Sequence, residues 1–285
     1  MSRKKIVVVS HSMDEAITKC VLNHQVRLDE NIVIISLQAL LSDYEIFDEV
    51  SQAGTCIRWT AKTGILVSNA DHALLNRVLY VPADLFDRFK KSDREYAQRE
   101  LEAYIGFSFN AFDGTGNHLA NGVCVDNLSL PQQWERVSKS IAMRVPDYYW
   151  GPLERHCRGT KDILVYSEIY NFLNWSRRSA LPDKNHIFCF EKPKGQPVFV
   201  LSIGKSRLLT SDAVLADEVK GRIIFMAEKI NKLFNYFIHE VLFFYDGKNL
   251  SFGCINPDIV RSVKNRNFNH FVCQNLVREF YQCMR

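Results

Sequence analysis

The residues best placed to do chemistry gather near the C-terminus. Residues 237–257 read Phe-Ile-His-Glu-Val-Leu-Phe-Phe-Tyr-Asp-Gly-Lys-Asn-Leu-Ser-Phe-Gly-Cys-Ile-Asn-Pro. Two apolar runs meet at Asp246-Gly247, a turn dipeptide that predicts a hairpin. Glu240 lies on the first run; Cys254, Asn256 and Pro257 lie on the second. Strand side chains alternate, so His239 and Glu240 face opposite sides. No second His follows at the spacing of a zinc protease. Glu240 is either a carboxylate aimed into a cleft or a partly exposed strand acid paired to a lysine.

A second polar pair, Asn76-Arg77, interrupts the apolar run Ala73 to Pro82. Such a pair is either exposed at a cleft, where Arg77 binds substrate, or matched by an internal partner in a buried ion pair. Ser10, His11 and Asp14 carry triad residue types, but no nucleophile-elbow motif accompanies them. The Ser10-His11-Ser12 turn lacks glycine, which argues against a phosphate cradle. The chain has eight cysteines, no two within four positions of each other, so no Cys-x-x-Cys metal motif exists. In a reducing compartment they read as small buried hydrophobes. Tyr148-Tyr149-Trp150 is either core or a docking surface.

These residues need elements to hold them. Ile6–Val9 reads as a buried strand, Ser10 to Asp14 as a turn, and the stretch to Asn23 as a helix. Ile32–Leu37 is a second buried strand, so the chain opens as a βαβ unit with a parallel sheet. Thr55–Thr60 and Gly64–Val67 are short strands. Ser92-x-x-Glu95 and Ser129-x-x-Gln132 read as capping boxes. They start helices running to about Phe112 and Met143. Strands are expected at Ile163–Val165, Ile187–Glu191 and Val198–Ile203, with another starting at Leu208. Ser211 or Asp212 caps a helix from Val214 to Phe234. The chemistry-bearing hairpin follows, and a helix over Asn269–Met284 closes the chain. The turn-rich stretch after Val145 suggests two domains, 1–145 and 146–285.

A chain of 285 residues buries a sizeable core. Its net charge of +4 is too mild to argue for nucleic acid. The most apolar stretch, Ile223 to Tyr245, is broken by charges and does not span a membrane. The N-terminal apolar run is too short for a signal peptide, so a cytoplasmic protein is expected.

In this order the elements resemble the ATP-grasp superfamily, in particular the peptide-modifying graspetide-type and ribosomal-protein glutamate ligases. Asn76-Arg77 followed by Pro82 resembles their basic motif before a proline. Ser129-Leu-Pro-Gln-Gln-Trp through Val145-Pro146-Asp147 resembles their entry into the ATP domain. Phe188-Cys-Phe-Glu-Lys192 resembles the strand that contacts adenine. The resemblance implies an α/β fold: an N-terminal parallel-sheet pre-ATP-grasp domain followed by a shortened ATP-grasp-like α+β domain. It implies that Glu191 and Lys192 line a nucleotide site, Asn76 and Arg77 a substrate site, and that Glu240 and Asn256 hold magnesium. The partner implied is a peptide or a protein.

Three departures from that pattern shape the expected function. Cys254 stands where a second acid belongs, and a thiol is a poor magnesium ligand. Phe199 stands where an arginine is usual. The segment Gly151 to His186 is short for an ATP-covering lobe, and only Lys161 and Lys184 offer a phosphate lysine. Losing one catalytic charge contact costs about 10²–10³ in rate. The expectation is therefore a degenerate ATP-grasp protein that binds a peptide or partner, with weak or no nucleotide binding. The alternative is an active ligase using ATP and magnesium to join a carboxylate to an amine.

Overall fold

The computed structural model describes residues 4–24, 32–113, 128–152, 163–166, 186–191 and 193–284. Strand β1 (Lys5–Ser10) pairs in parallel with β2 (Ile32–Ser36) on one side and β6 (His72–Arg77) on the other. Buried on both faces, β1 reads as an unbroken apolar run, not an alternating one. Ile6 and Val8 pack toward α1 (Ala16–Asn23); Val7 and Val9 pack toward the opposite core.

The second strand ends one residue earlier than the sequence predicts. Ser36 Oγ accepts the Ala39 N–H at 3.0 Å and so caps α2 (Leu37–Asp43). That helix leads into β3 (Tyr44–Ser51), paired antiparallel with β4 (Gly54–Ala61), which pairs with β5 (Leu66–Ser68). Neither α2 nor β3 is apparent in the sequence: α2 has two turns, and β3 is mostly exposed with little apolar alternation.

Helix α3 (Arg94–Asn110) is not capped by the Ser92 box. Its N-cap is Asp93, whose N–H already bonds Lys90 O at 2.9 Å in the preceding turn, and Ser92 Oγ donates to Asp93 Oδ1. The second box does form. At the start of α4 (Leu130–Ile141), Gln132 Oε1 accepts from Ser129 N–H and from its hydroxyl. The helix stops at Ala142, which takes left-handed backbone at φ 53°.

Beyond it lie two antiparallel sheets. The smaller has order β7 (Tyr148–Pro152), β9 (His186–Glu191), β8 (Ile163–Tyr166). The larger has order β11 (Ser206–Ser211), β10 (Gln196–Ile203), β12 (Ile238–Tyr245), β13 (Leu250–Asn256). Between β11 and β12 runs α5 (Asp217–Phe234), which starts three residues later than predicted. Ser211 closes a turn onto the Ala213 N–H instead of capping the helix. The hairpin turn falls at Asp246-Gly247 as expected. Asp246 Oδ1 accepts the N–H of Lys248 and Asn249, and Gly247 sits at φ 95°.

Helix α6 (Phe268–Cys283) closes the chain against its beginning. One core joins Ile6, Ile17 and Val21 to Leu201, Val272 and Phe280. The first and last elements are therefore packed into each other. Among the described residues no helix is long and apolar enough to cross a membrane.

Candidate functional site

Cross-strand register decides which side chains meet. Glu240 pairs with Asn256 and Leu242 with Cys254 across β12–β13. Leu201 pairs with Glu240 and Phe199 with Leu242 across β10–β12. Directly opposite residues share a face, so Phe199, Glu240, Leu242, Cys254 and Asn256 lie together. A bulge beside Leu242 absorbs Gly253, where an added Cβ would sit 2.8 Å from Leu242 Cγ. Only glycine fits that close approach without a shift.

Glu240 is buried at 2% exposure, and both of its carboxylate oxygens are engaged. Oε2 accepts the Ser262 N–H at 2.6 Å; Oε1 accepts those of Val260 at 3.4 Å and Arg261 at 3.3 Å. The acid thus clamps the turn that follows β13. Burial pushes its carboxyl above the ordinary range, and these donors only partly counter the effect. Asn256 turns its Oδ1 onto the Asp258 N–H at 2.9 Å, an Asx turn. Cys254 is buried, and desolvation pushes its thiol far above the usual range. Magnesium needs near-octahedral oxygen ligands. An engaged carboxylate paired with an engaged amide, with a soft thiol next along the same face, does not fit that ion.

The same face carries a cavity of about 210 Å³. Pro197, Phe199, Leu242 and Phe244 give it an apolar lining; its charged lining residues are Arg261 and Lys264, with Asp212 opposing them. The volume is below the ~300 Å³ at which small-molecule pockets begin. On the opposite face, Arg207, Ser202 and His239 form a cross-strand row. His239 Nδ1 donates to Tyr236 O at 3.1 Å. Burial, and then the Arg207 charge, push its pKa down to about 3.

Arg77 is fully buried at the end of β6. Its Nη2 lies 2.6 Å from Glu15 Oε1 and 3.0 Å from Pro257 O. Glu15 is the N-cap of α1; its Oε2 accepts from Thr18 N–H and from the Thr18 hydroxyl, each at 2.9 Å. Burial pushes the Glu15 carboxyl up, but the Arg77 charge and the hydrogen bonds outweigh it and leave it lowered. Asn76 Oδ1 accepts the Val78 N–H at 2.8 Å. The chain therefore brings Arg77 to the residue after Asn256, although 180 positions separate Arg77 from Pro257.

Glu191 is exposed at the end of β9, where its N–H bonds Asp147 O at 2.8 Å. Lys192, Lys161 and Lys184 lie outside the described residues, as does most of Gly151 to His186. The Ser10, His11, Asp14 trio does not assemble: Ser10 Oγ donates to Ser12 O, and Asp14 pairs with Lys19 at 2.9 Å. Two participants escape the sequence reading. Glu15 has only one signal, that a buried arginine demands an acid. The 260–262 turn uses backbone N–H groups, which every residue has.

No protein-family profile and no curated protein matches the chain. Solved structures do. The ATP-grasp ligase PsnB, complexed with a phosphomimetic variant of minimal precursor, Mg and ADP, superposes with TM-score 0.67 at 15% identity, over 98% of each chain. A RiPP-associated ATP-grasp ligase of Chryseobacterium gregarium, in complex with ADP and a leader and core peptide, gives 0.64 at 12%, over 97% of each. VanG D-Ala:D-Ser ligase from Enterococcus faecalis gives 0.56 at 10%, over 98% of this chain and 100% of that one. Likeness over almost the whole length, with the parallel sheet first and the antiparallel sheets after it, identifies the architecture: the chain has the ATP-grasp fold.

Proposed function

We propose that this protein binds a peptide or a partner protein on an ATP-grasp scaffold whose metal end has been converted to structure. One observation carries the reading: both carboxylate oxygens of Glu240 are engaged by backbone N–H groups of 260–262. Cys254 and the apolar floor under Phe199 support it, because neither offers a hard ligand or a positive charge to a triphosphate. The structural neighbours PsnB, solved with precursor peptide PsnA2, and the C. gregarium ligase, solved with a leader and core peptide, support a peptide as the partner class. An apolar lining flanked by Arg261 and Lys264, offset in part by Asp212, suits a peptide with an apolar anchor and an acidic neighbour. The proposal keeps 1–145 and 146–285 as two domains in chain order that share packed cores, and seats the peptide on the cavity face of 146–285.

The second reading is an active carboxylate–amine ligase, favoured by Arg261 and Lys264 beside the cavity and by ADP and Mg in the PsnB complex. There Glu191 and Lys192 contact the nucleotide, Asn76 and Arg77 hold substrate, and Glu240 and Asn256 must leave their turns to take magnesium. Thermal unfolding with and without millimolar magnesium–ATP separates the two. A ligand at 100 times its dissociation constant stabilises a fold by about 2.7 kcal/mol. No shift is expected; a shift of that size overturns the reading of a lost nucleotide site and favours the ligase.

A further inference from the structure

Away from the cleft, where α1 meets α6, three soft or borderline ligands converge. Cys20 lies in α1, His24 caps its C-terminal end, and Cys273 lies in α6. One potential ligand atom from each lies within 4.8 Å of the other two. Cys20 and His24 are four positions apart, which places them on one side of a helix one turn apart. Cys273 comes from the far end of the chain and reaches them because α6 packs on α1 through Ile17, Val21, Val272 and Leu276.

His24 is also oriented. Its Nδ1 lies 2.9 Å from the Cys20 carbonyl oxygen. A carbonyl only accepts, so Nδ1 is the donor here, and in the neutral ring this tautomer leaves Nε2 as the nitrogen able to take a metal. Ligating histidines are usually fixed this way, by a second-shell carbonyl at the other nitrogen. Cys20 is buried and Cys273 and His24 are half-buried, so an ion has access from one side. Both cysteines are thiols, outside any disulfide.

We infer that Cys20, Cys273 and His24 form a zinc site that fastens the first helix to the last, with its fourth position open to solvent. The donor set selects the ion: two thiolates and an imidazole suit zinc and not magnesium or calcium. Tetrahedral zinc with ligand bonds of roughly 2.0–2.3 Å spaces its donors about 3.3–3.8 Å apart. The donors lie within 4.8 Å of one another, so on binding they must draw in by up to about 1–1.5 Å. On binding, each thiol releases one proton to solvent and the ion takes the thiolate. The inference is independent of how the cleft is read, since none of its residues touches that face.

The full-length protein, stripped by a chelator under reducing conditions and then exposed to zinc alone, tests it. One zinc per chain is expected after desalting, measured by elemental analysis. Cobalt(II) in its place should show the absorption bands of a tetrahedral site and thiolate-to-metal charge transfer. Cys273→Ser and His24→Gln, both half-buried and expected to fold, should each weaken zinc by at least about 100-fold. Cys56→Ser and Cys283→Ser should keep full stoichiometry. Absence of zinc, or zinc retained unchanged in both Cys273→Ser and His24→Gln, overturns the inference. So does a Cys20–Cys273 disulfide found by mass spectrometry when reductant and zinc are both present.

Discussion

At the scale of single residues, the outcome depends on who holds each buried charge. Glu240 was legible as a chemistry-bearing acid, but its partners are main-chain N–H groups of residues 260–262. Glu240→Gln replaces one acceptor oxygen by a donor that faces an N–H. It should cost about 1–3 kcal/mol in urea unfolding with no metal present. A variant as stable as the parent would mean the carboxylate is held in place for something other than this turn. His239 gives the pH counterpart. Its ordinary pKa of 6.5 falls to about 3 in the fold. Between those values the unfolded chain takes up a proton that the folded one refuses. The contribution is therefore full above pH 6.5 and is lost as pH falls, by about 1.4 kcal/mol per unit. Unfolding followed from pH 7 to pH 5 should show this slope in the parent and a shallower one in His239→Leu. Equal slopes would place the acid sensitivity elsewhere.

At the scale of elements, periodicity served where an element buries one continuous surface and failed where neighbours made the decision. The runs Ile6–Val9 and Val198–Ile203, and the hairpin at Asp246-Gly247, were legible because burial or turn geometry is encoded within the run itself. The Ser92 box was not formed because the residues before α3 were already coiled into a turn. Strand β3 was missed because most of its side chains face solvent, so pairing with β4 and not hydrophobic patterning makes it a strand. Helix α4 shows a role that spacing does not announce. It covers the open edge of β13: Gln133 Oε1 accepts the Ile255 N–H at 2.9 Å, and Trp134 Nε1 donates to Gly253 O at 2.6 Å. Gln133→Leu keeps the size and leaves that buried N–H without an acceptor. A loss of about 1–3 kcal/mol is expected, with faster hydrogen exchange at the Ile255 amide. Unchanged exchange there would show that the edge is closed by other means.

Across the whole molecule, the ends of the chain hold one another. Arg77 ties β6 to α1 through Glu15 and to the segment after β13 through Pro257 O. Removing one partner leaves a charge in the interior, so Glu15→Ala should cost about 3–5 kcal/mol. Glu15→Leu combined with Arg77→Met should cost clearly less than Glu15→Ala, because no charge then remains unpaired. If the double variant is the weaker, the pair contributes more than its desolvation costs. Cys20, His24 and Cys273 follow the same logic of distance: along the chain the cysteines read only as small buried hydrophobes, and the trio exists because Cys273 arrives from the last helix. The sequence alone determined the parallel opening, the main helices, the hairpin and the acid upon it, since each rests on local periodicity, turn chemistry or burial of an unbroken run. Only the tertiary structure decided that Glu240 clamps a turn, that Arg77 answers Glu15, and that two cysteines and a histidine meet. Those outcomes depend on contacts between segments far apart in the chain, and no local pattern carries that information.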